Sequence, residues 1–279
     1  MKRSLSFIFL LGLLQSFSFS YFQITDLEKK GIIGKASSIK KIIYSESSKA
    51  ENKRKETVVF DNLTTYNTDG NRQITSEFKD GILFSHTIYN YNEHGILIGC
   101  DEYNTNNSLY LSISYLTDDK GFITEAKYNR ILQKTYDNDR FSIDVEYDKY
   151  YQNLFTLISY KNDFKGYVLK EEYFNPDSSV SFMLNYKYDY KHNKVEIKHY
   201  NKNGTLSWRS KLKYDSKSNK KESKLFKSNR LALLSKFTYE FDQNGNWVKR
   251  IETRHLYDNF FGQDLDNNTY TTIRKIEYY

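Results

Sequence analysis

Phe237-Thr-Tyr-Glu-Phe241, Asp242-Gln-Asn-Gly245, then Trp247-Val-Lys-Arg-Ile251: this stretch holds a strand, a turn and a second strand. Phe237, Tyr239 and Phe241 alternate with Lys236, Thr238 and Glu240. Period two puts aromatics on one face of a strand and charges on the other. Asp and Asn side chains bond to nearby backbone, and Gly takes positive φ freely, so Asp-Gln-Asn-Gly is a turn. Trp247 then opens the next strand, with Ile251 expected on its face. Phe237, Tyr239, Phe241 and Trp247 are expected in the core, where Phe241→Ala would cost ~3–5 kcal/mol.

The same phrase recurs outward from this point. It stands at Tyr89-Asn-Tyr-Asn-Glu-His-Gly95 and around Asn201-Lys-Asn-Gly204. Degenerate forms are Asp118-Asp-Lys-Gly121, Asp163-Phe-Lys-Gly166 and Asp189-Tyr-Lys-His-Asn193. Turn signals begin at Asn67, Lys79, Asn92, Asn104, Asp118, Asp163, Asn175, Asp189, Asn201, Asp215, Lys227 and Asp242. Steps of about 12 alternate with steps of about 14, so every second turn recurs at about 26 residues. Short strands at this spacing mean an all-β antiparallel protein. The expected fold is a set of antiparallel hairpin repeats forming one long, twisted, curling sheet, its aromatic face closed on itself or on a partner sheet. Exposed edges at its ends need covering. The charged stretch near 47–57 and the irregular 254–270 are the candidates. Leu231-Ala-Leu-Leu234 reads as a strand or a turn of helix.

Composition agrees. Tyr (26) and Phe (19) supply much of the apolar content, a single Pro argues against stalks, and mean hydropathy is low at −0.76. The formal net charge of +7 reads as spread along the chain, a mild attraction for anionic partners. Lys2, Arg3, the apolar run Leu5–Leu14 and Ser18-Phe-Ser20 have the layout of a secretory signal peptide. Cys100 is the only cysteine, so an exported monomer is stabilised by packing alone. It reads as a small buried hydrophobe.

The repeated Tyr-x-Tyr/Phe-Asp/Asn-x-x-Gly phrase, at Tyr89–Gly95, Tyr186–Asn193 and Tyr239–Asn246, resembles the YD repeat of Rhs-type proteins. The ending Asn244–Ile251 followed by Ile273–Tyr279 looks like that of small secreted YD-repeat proteins of the Bacteroidetes type. The resemblance implies a hairpin-repeat sheet over residues 58–279, after a signal peptide (1–20) and a lead-in with a first strand and a charged loop (21–57). Rhs-type giants wind such sheets around a toxin; nothing here looks like an attached toxin domain.

Chemistry is sparse. Most acids sit at turns, where a hairpin favours them. His86, His94, His192, His199 and His255 form no metal-ligating spacing. No Gly-x-Ser-x-Gly elbow or phosphate loop exists. No cofactor is expected. The best ligand-binding candidates are Trp208 with Arg209, and Trp247 with Lys249 and Arg250, which could stack on sugars or bases. The leading reading is an exported, non-enzymatic binding or structural module of the cell envelope or surface. Its partner would be an envelope or surface protein, or a glycan, with no specific nucleic acid and no transmembrane helix. The alternative is an outer-membrane β-barrel, and then an envelope enzyme with an unrecognised site.

Overall fold

The computed structural model describes residues 32–46, 56–130, 156–257 and 264–279. The signal-peptide expectation (1–20) and most of the charged loop near 47–57 lie outside these residues. The strands are β1 (Ala36–Glu46), β2 (Glu56–Tyr66), β3 (Arg72–Lys79), β4 (Ile82–Tyr91), β5 (Leu97–Asn104), β6 (Leu109–Thr117), β7 (Ile123–Arg130) and β8 (Leu157–Asn162). The second half comprises β9 (Val168–Phe174), β10 (Val180–Tyr188), β11 (Lys194–Asn201), β12 (Leu206–Tyr214), β13 (Lys220–Lys227), β14 (Arg230–Phe241), β15 (Trp247–Tyr257) and β16 (Asp264–Tyr278).

All twelve turns fall where their first residues announce them. Ten share one geometry. In the turn after Phe241, Asp242 N donates to Asn246 O at 2.9 Å and Gly245 N donates to Asp242 O at 3.0 Å. This is a three-residue hairpin loop, a type I turn closed by one left-handed residue. That residue is Gly245 here (φ 81°), but His192 and Ser218 hold the same position elsewhere with φ 62° and 63°. The Asp242 Oδ1 accepts from Asn244 N at 3.0 Å and Asn246 N at 2.9 Å, which explains the preference for Asp or Asn at the first position. The other two turns, Asp80-Gly81 and Ser228-Asn229, have positive φ at both residues, the two-residue type that fits the twist of flanking strands.

Each strand pairs antiparallel with its sequence neighbours, and β1 pairs with β16, so the sheet is a closed barrel of sixteen strands. This corrects the expectation of an open curling sheet. There is no edge to cover, because Ala36–Glu46 lies along the last strand through ten registered pairs. Among the described residues, β7 and β8 share the fewest registered pairs, three, continued by Tyr128 N donating to Thr156 O at 2.9 Å. The 254–270 stretch is largely strand in β15 and β16, and Leu231–Leu234 lies in strand β14.

Seven of the three-residue turns lie at one end of the barrel, with Ala36 and Tyr278 paired beside them. The connections 47–55, 131–156 and 258–263 all join strands at the opposite end.

Alternation decides which side chains face inward. Leu184 and Tyr186 face the interior, opposite His199 and Ile197 on β11. They join Ala126, Ile158, Val168 and Tyr173 in the largest buried cluster, with Phe182, Tyr188 and Trp208 packed against it. A second cluster, Ile32, Ala36, Ile39 and Tyr66, lies at the turn end. Asn246, 1% exposed, clamps the segment before β1 there. Its Oδ1 accepts from Ile33 N at 2.6 Å, and its Nδ2 donates to Ile33 O at 2.8 Å and Tyr278 Oη at 2.6 Å.

The expected core at the 237–251 hairpin is right in part. Phe237 is buried, Tyr239 and Trp247 are half-buried, and Phe241 is 41% exposed at the rim. The ~3–5 kcal/mol expected for Phe241→Ala is therefore corrected downwards. Ile251 is not on the face of Trp247. A bulge shifts the register between Glu240 and Phe241, so Arg250 opposes Tyr239 while Ile251 opposes Thr238 on the outside.

The outer face is mixed, with Ile74, Leu116 and Ile273 exposed on it beside charged pairs. Lys40 pairs with Asp61 at 3.4 Å, Lys187 with Glu196 at 3.6 Å, Lys213 with Glu222 at 3.0 Å and Lys275 with Glu277 at 3.3 Å. No helix of the described residues is long and apolar enough to cross a membrane.

Candidate functional site: an inward basic and aromatic cluster

The bulge that moves Ile251 outward brings Trp247 and Arg250 together on the inner face. The Arg274 guanidinium lies 3.3 Å from the Trp247 ring centroid, and that of Arg250 lies 5.5 Å from it. Arg274 is fixed by donating from Nε (2.9 Å) and Nη2 (2.7 Å) to Trp247 O. Arg250 Nη2 donates to Thr272 Oγ1 at 3.3 Å, and its Nε has no hydrogen-bond partner. An unsatisfied buried donor on a charged group is costly.

Two lysines extend the cluster. Lys41 of β1 opposes Arg274 across the strand pair and sits 4.6 Å over Phe60. Lys220 opens β13 and sits 4.4 Å over Phe237. Burial, reinforced by Arg250 and Arg274, pushes the Lys41 amine down to about 8. Burial, with Arg250 next, pushes Lys220 down to about 8 as well. The nearby acids do not balance these charges. Glu252 is held by Arg254 at 2.7 Å, and burial pushes the Glu77 carboxyl up, towards its neutral form. Cations crowded on one wall depress one another's protonation, which an incoming anion relieves.

A second inward group lies on β9–β11. Glu171, 1% exposed, accepts from Tyr173 Oη at 2.5 Å, and burial pushes its carboxyl up. Lys194 sits 3.8 Å over Tyr186 in the same wall.

The five sequence candidates separate. Trp247 and Arg250 meet in the cluster. Lys249 points outward and pairs with Glu240 at 2.8 Å. Trp208 points inward at the other end, stacked on His199 with centroids 5.2 Å apart. Arg209, its neighbour, points outward over Phe226. Trp208 and Arg209 therefore cannot grip one ligand. Lys41, Lys220 and Arg274 were missed: alternation sets Lys41 on the face of Ile39 and Ile43 and Arg274 on that of Tyr270 and Ile276, whereas Lys220 reaches the inner face only through the bulge opposite Lys213 and Tyr214. Cys100 is buried, and burial pushes its thiol up to about 11. Among the described residues no group of three or more His, Cys, Asp and Glu could hold a metal ion.

No family model matches the chain, and no curated protein matches it. The barrel is similar to a crystal structure described as a porin-like protein from Bacteroides uniformis. That likeness has a TM-score of 0.53 and 14% identity and covers 87% of this chain and 96% of that one. A porin-like protein from Bacteroides vulgatus follows at TM-score 0.43 and 11% identity, covering 88% and 98%. The Photorhabdus luminescens Tc holotoxin pore matches at TM-score 0.32 and 13% identity, over 75% of this chain and 12% of that one. The first of these shows a shared barrel fold; the other two carry no argument.

Proposed function

We propose that the chain is a non-enzymatic binding module of the cell envelope that takes up a small anionic ligand against the inner wall of its barrel. The observation that carries this is the convergence of Lys41, Lys220, Arg250 and Arg274 around Trp247 and Phe237, where Glu252 is already held by Arg254. Guanidinium groups stacked on rings keep their N–H edges free for carboxylate or phosphate. Titration calorimetry with inorganic pyrophosphate tests it. Wild-type protein should bind, and Arg250→Met should weaken binding at least ~10-fold, a loss of about 1.4 kcal/mol. No heat from the wild type, or equal affinity in the variant, refutes the inner site.

An outer-membrane barrel is the second reading. It is supported by the fold shared with the porin-like protein of Bacteroides uniformis, by the even strand number and by the ends: only three-residue turns at one, three longer connections among five short turns at the other. The outer face weighs against it. Lys198 and Lys224 point outward near the middle of their strands with side chains 30% and 37% exposed. Each Lys or Arg facing lipid at mid-depth costs about 2–4 kcal/mol. Recovery of the protein in the soluble fraction after an alkaline wash of host membranes would reject this second reading, and retention would reject the first.

A further inference from the structure

The charge is not spread evenly along the chain. Residues 187–236 hold 15 Lys and Arg against 4 Asp and Glu, a net of +11, whereas the whole chain carries +7. The remainder of the chain is therefore net acidic. On the outer face of β10–β13, Lys187, Lys198, Arg209, Lys211, Lys213 and Lys224 stand in registered rows, while Lys194 and Lys220 of the same stretch face inward. Lys198 directly opposes Arg209, and Lys211 directly opposes Lys224. Like charges directly opposite one another destabilise a sheet. The outward acids of this surface are Glu196 and Glu222, each already within reach of two lysines.

We infer that the outer face of β11–β13 is a docking surface for an acidic polysaccharide. Outward residues recur about 6.8 Å apart along a strand and about 4.8 Å apart between strands, so the rows form a grid of cations suited to an extended polyanion. The partner's chemistry follows from what the surface lacks. Trp208 has turned inward to stack on His199, and the Phe226 ring lies under Arg209. The rings that remain, the exposed Tyr190 of the turn before β11 and the half-buried Tyr200, stand at opposite ends of that strand, so successive bases find no continuous aromatic platform, which single-strand binding needs. Neither of the registered like-charge pairs carries an apolar side chain for insertion into a lipid surface. A chain of acidic sugars needs only the cations.

The test is binding of the full-length protein to polygalacturonate, with neutral dextran, duplex DNA and phosphatidylglycerol vesicles as comparison probes. Wild-type protein should bind polygalacturonate at low salt and lose affinity steeply as salt rises. The variant Lys198→Gln/Arg209→Gln/Lys211→Gln/Lys224→Gln should bind at least ~10-fold more weakly, with a melting temperature equal to or above wild type because two like-charge contacts are gone. Arg250→Met, on the inner face, should leave polysaccharide binding unchanged, so this surface and the inner site fail separately. Equal affinity in the quadruple variant, equal binding of dextran, or binding of DNA or vesicles without polygalacturonate overturns the assignment.

Discussion

Replacing Asn246 by Ala should detach the segment before β1 from the turn end of the barrel. Asn246 side-chain atoms make both hydrogen bonds to the Ile33 backbone and one to Tyr278 Oη. Tyr278 keeps a second partner, since it donates to Asp242 Oδ2 at 2.8 Å. The loss therefore falls on Ile33 N and Ile33 O. Each lost bond costs about 0.5–1.5 kcal/mol, and each group left buried and unpaired costs more. Release of the segment would limit that penalty, but it would expose Ile32, 6% exposed in the intact barrel. Uncovering an Ile of that burial forfeits about 1.5–3 kcal/mol. Either route gives a destabilisation of roughly 2–4 kcal/mol. Urea unfolding followed by tryptophan fluorescence reads the midpoint, and limited proteolysis reads whether the bond after Lys35 has become accessible. Asn246→Asp keeps the acceptor for Ile33 N and loses the donor to Ile33 O, so it should fall between wild type and Asn246→Ala. A change below about 0.5 kcal/mol in Asn246→Ala, far under the cost of two such bonds, would refute the clamp.

Two further outcomes follow from inward and outward placement. Because Lys41 and Lys220 are pushed down to about 8, the unfolded chain binds more protons than the barrel between there and the ordinary lysine value of 10.5. Stability should therefore rise with pH from about 8 and be lower below it, and Lys41→Met should flatten the rise. Urea midpoints up to pH ~9.5 check this; above about 10 the buried Tyr173 and Tyr186, which hold their protons in the fold, turn the slope the other way. Phe237→Ala should cost ~3–5 kcal/mol, while Phe241→Ala at the rim should cost about 1 kcal/mol, and calorimetric melting of the pair would expose an inverted order.

The hairpins were legible because each turn is specified locally. Asp242 supplies the acceptor, Gly245 the left-handed residue, and nothing distant is needed. Closure was not legible. Period two tells which side chains share a face, but Ile39 meets Ile276 only if sixteen strands curl far enough to join. The site was half legible for a related reason. Strict alternation sets Trp247 and Arg250 on opposite faces, and the bulge after the turn reverses that parity. The excess of cations in 187–236 was legible in the sequence, but which of them share the outer face, and that Lys198 meets Arg209 and Lys211 meets Lys224, is set by the register of β11, β12 and β13.

A hoop of staves is as strong as its weakest joint, and here the joints are unequal. Among the described residues the β1–β16 seam holds ten registered pairs, whereas β7 and β8 share three. Amide hydrogens of Ala126 and Ile158 should thus exchange with solvent sooner than those of Ile39 and Ile276. A barrel that parts between β7 and β8 becomes a sheet with two raw margins, each able to receive the margin of another opened copy. Strand-exchanged dimers formed at high concentration would then carry the junction between those two strands, and leave the seam joining the first strand to the last intact.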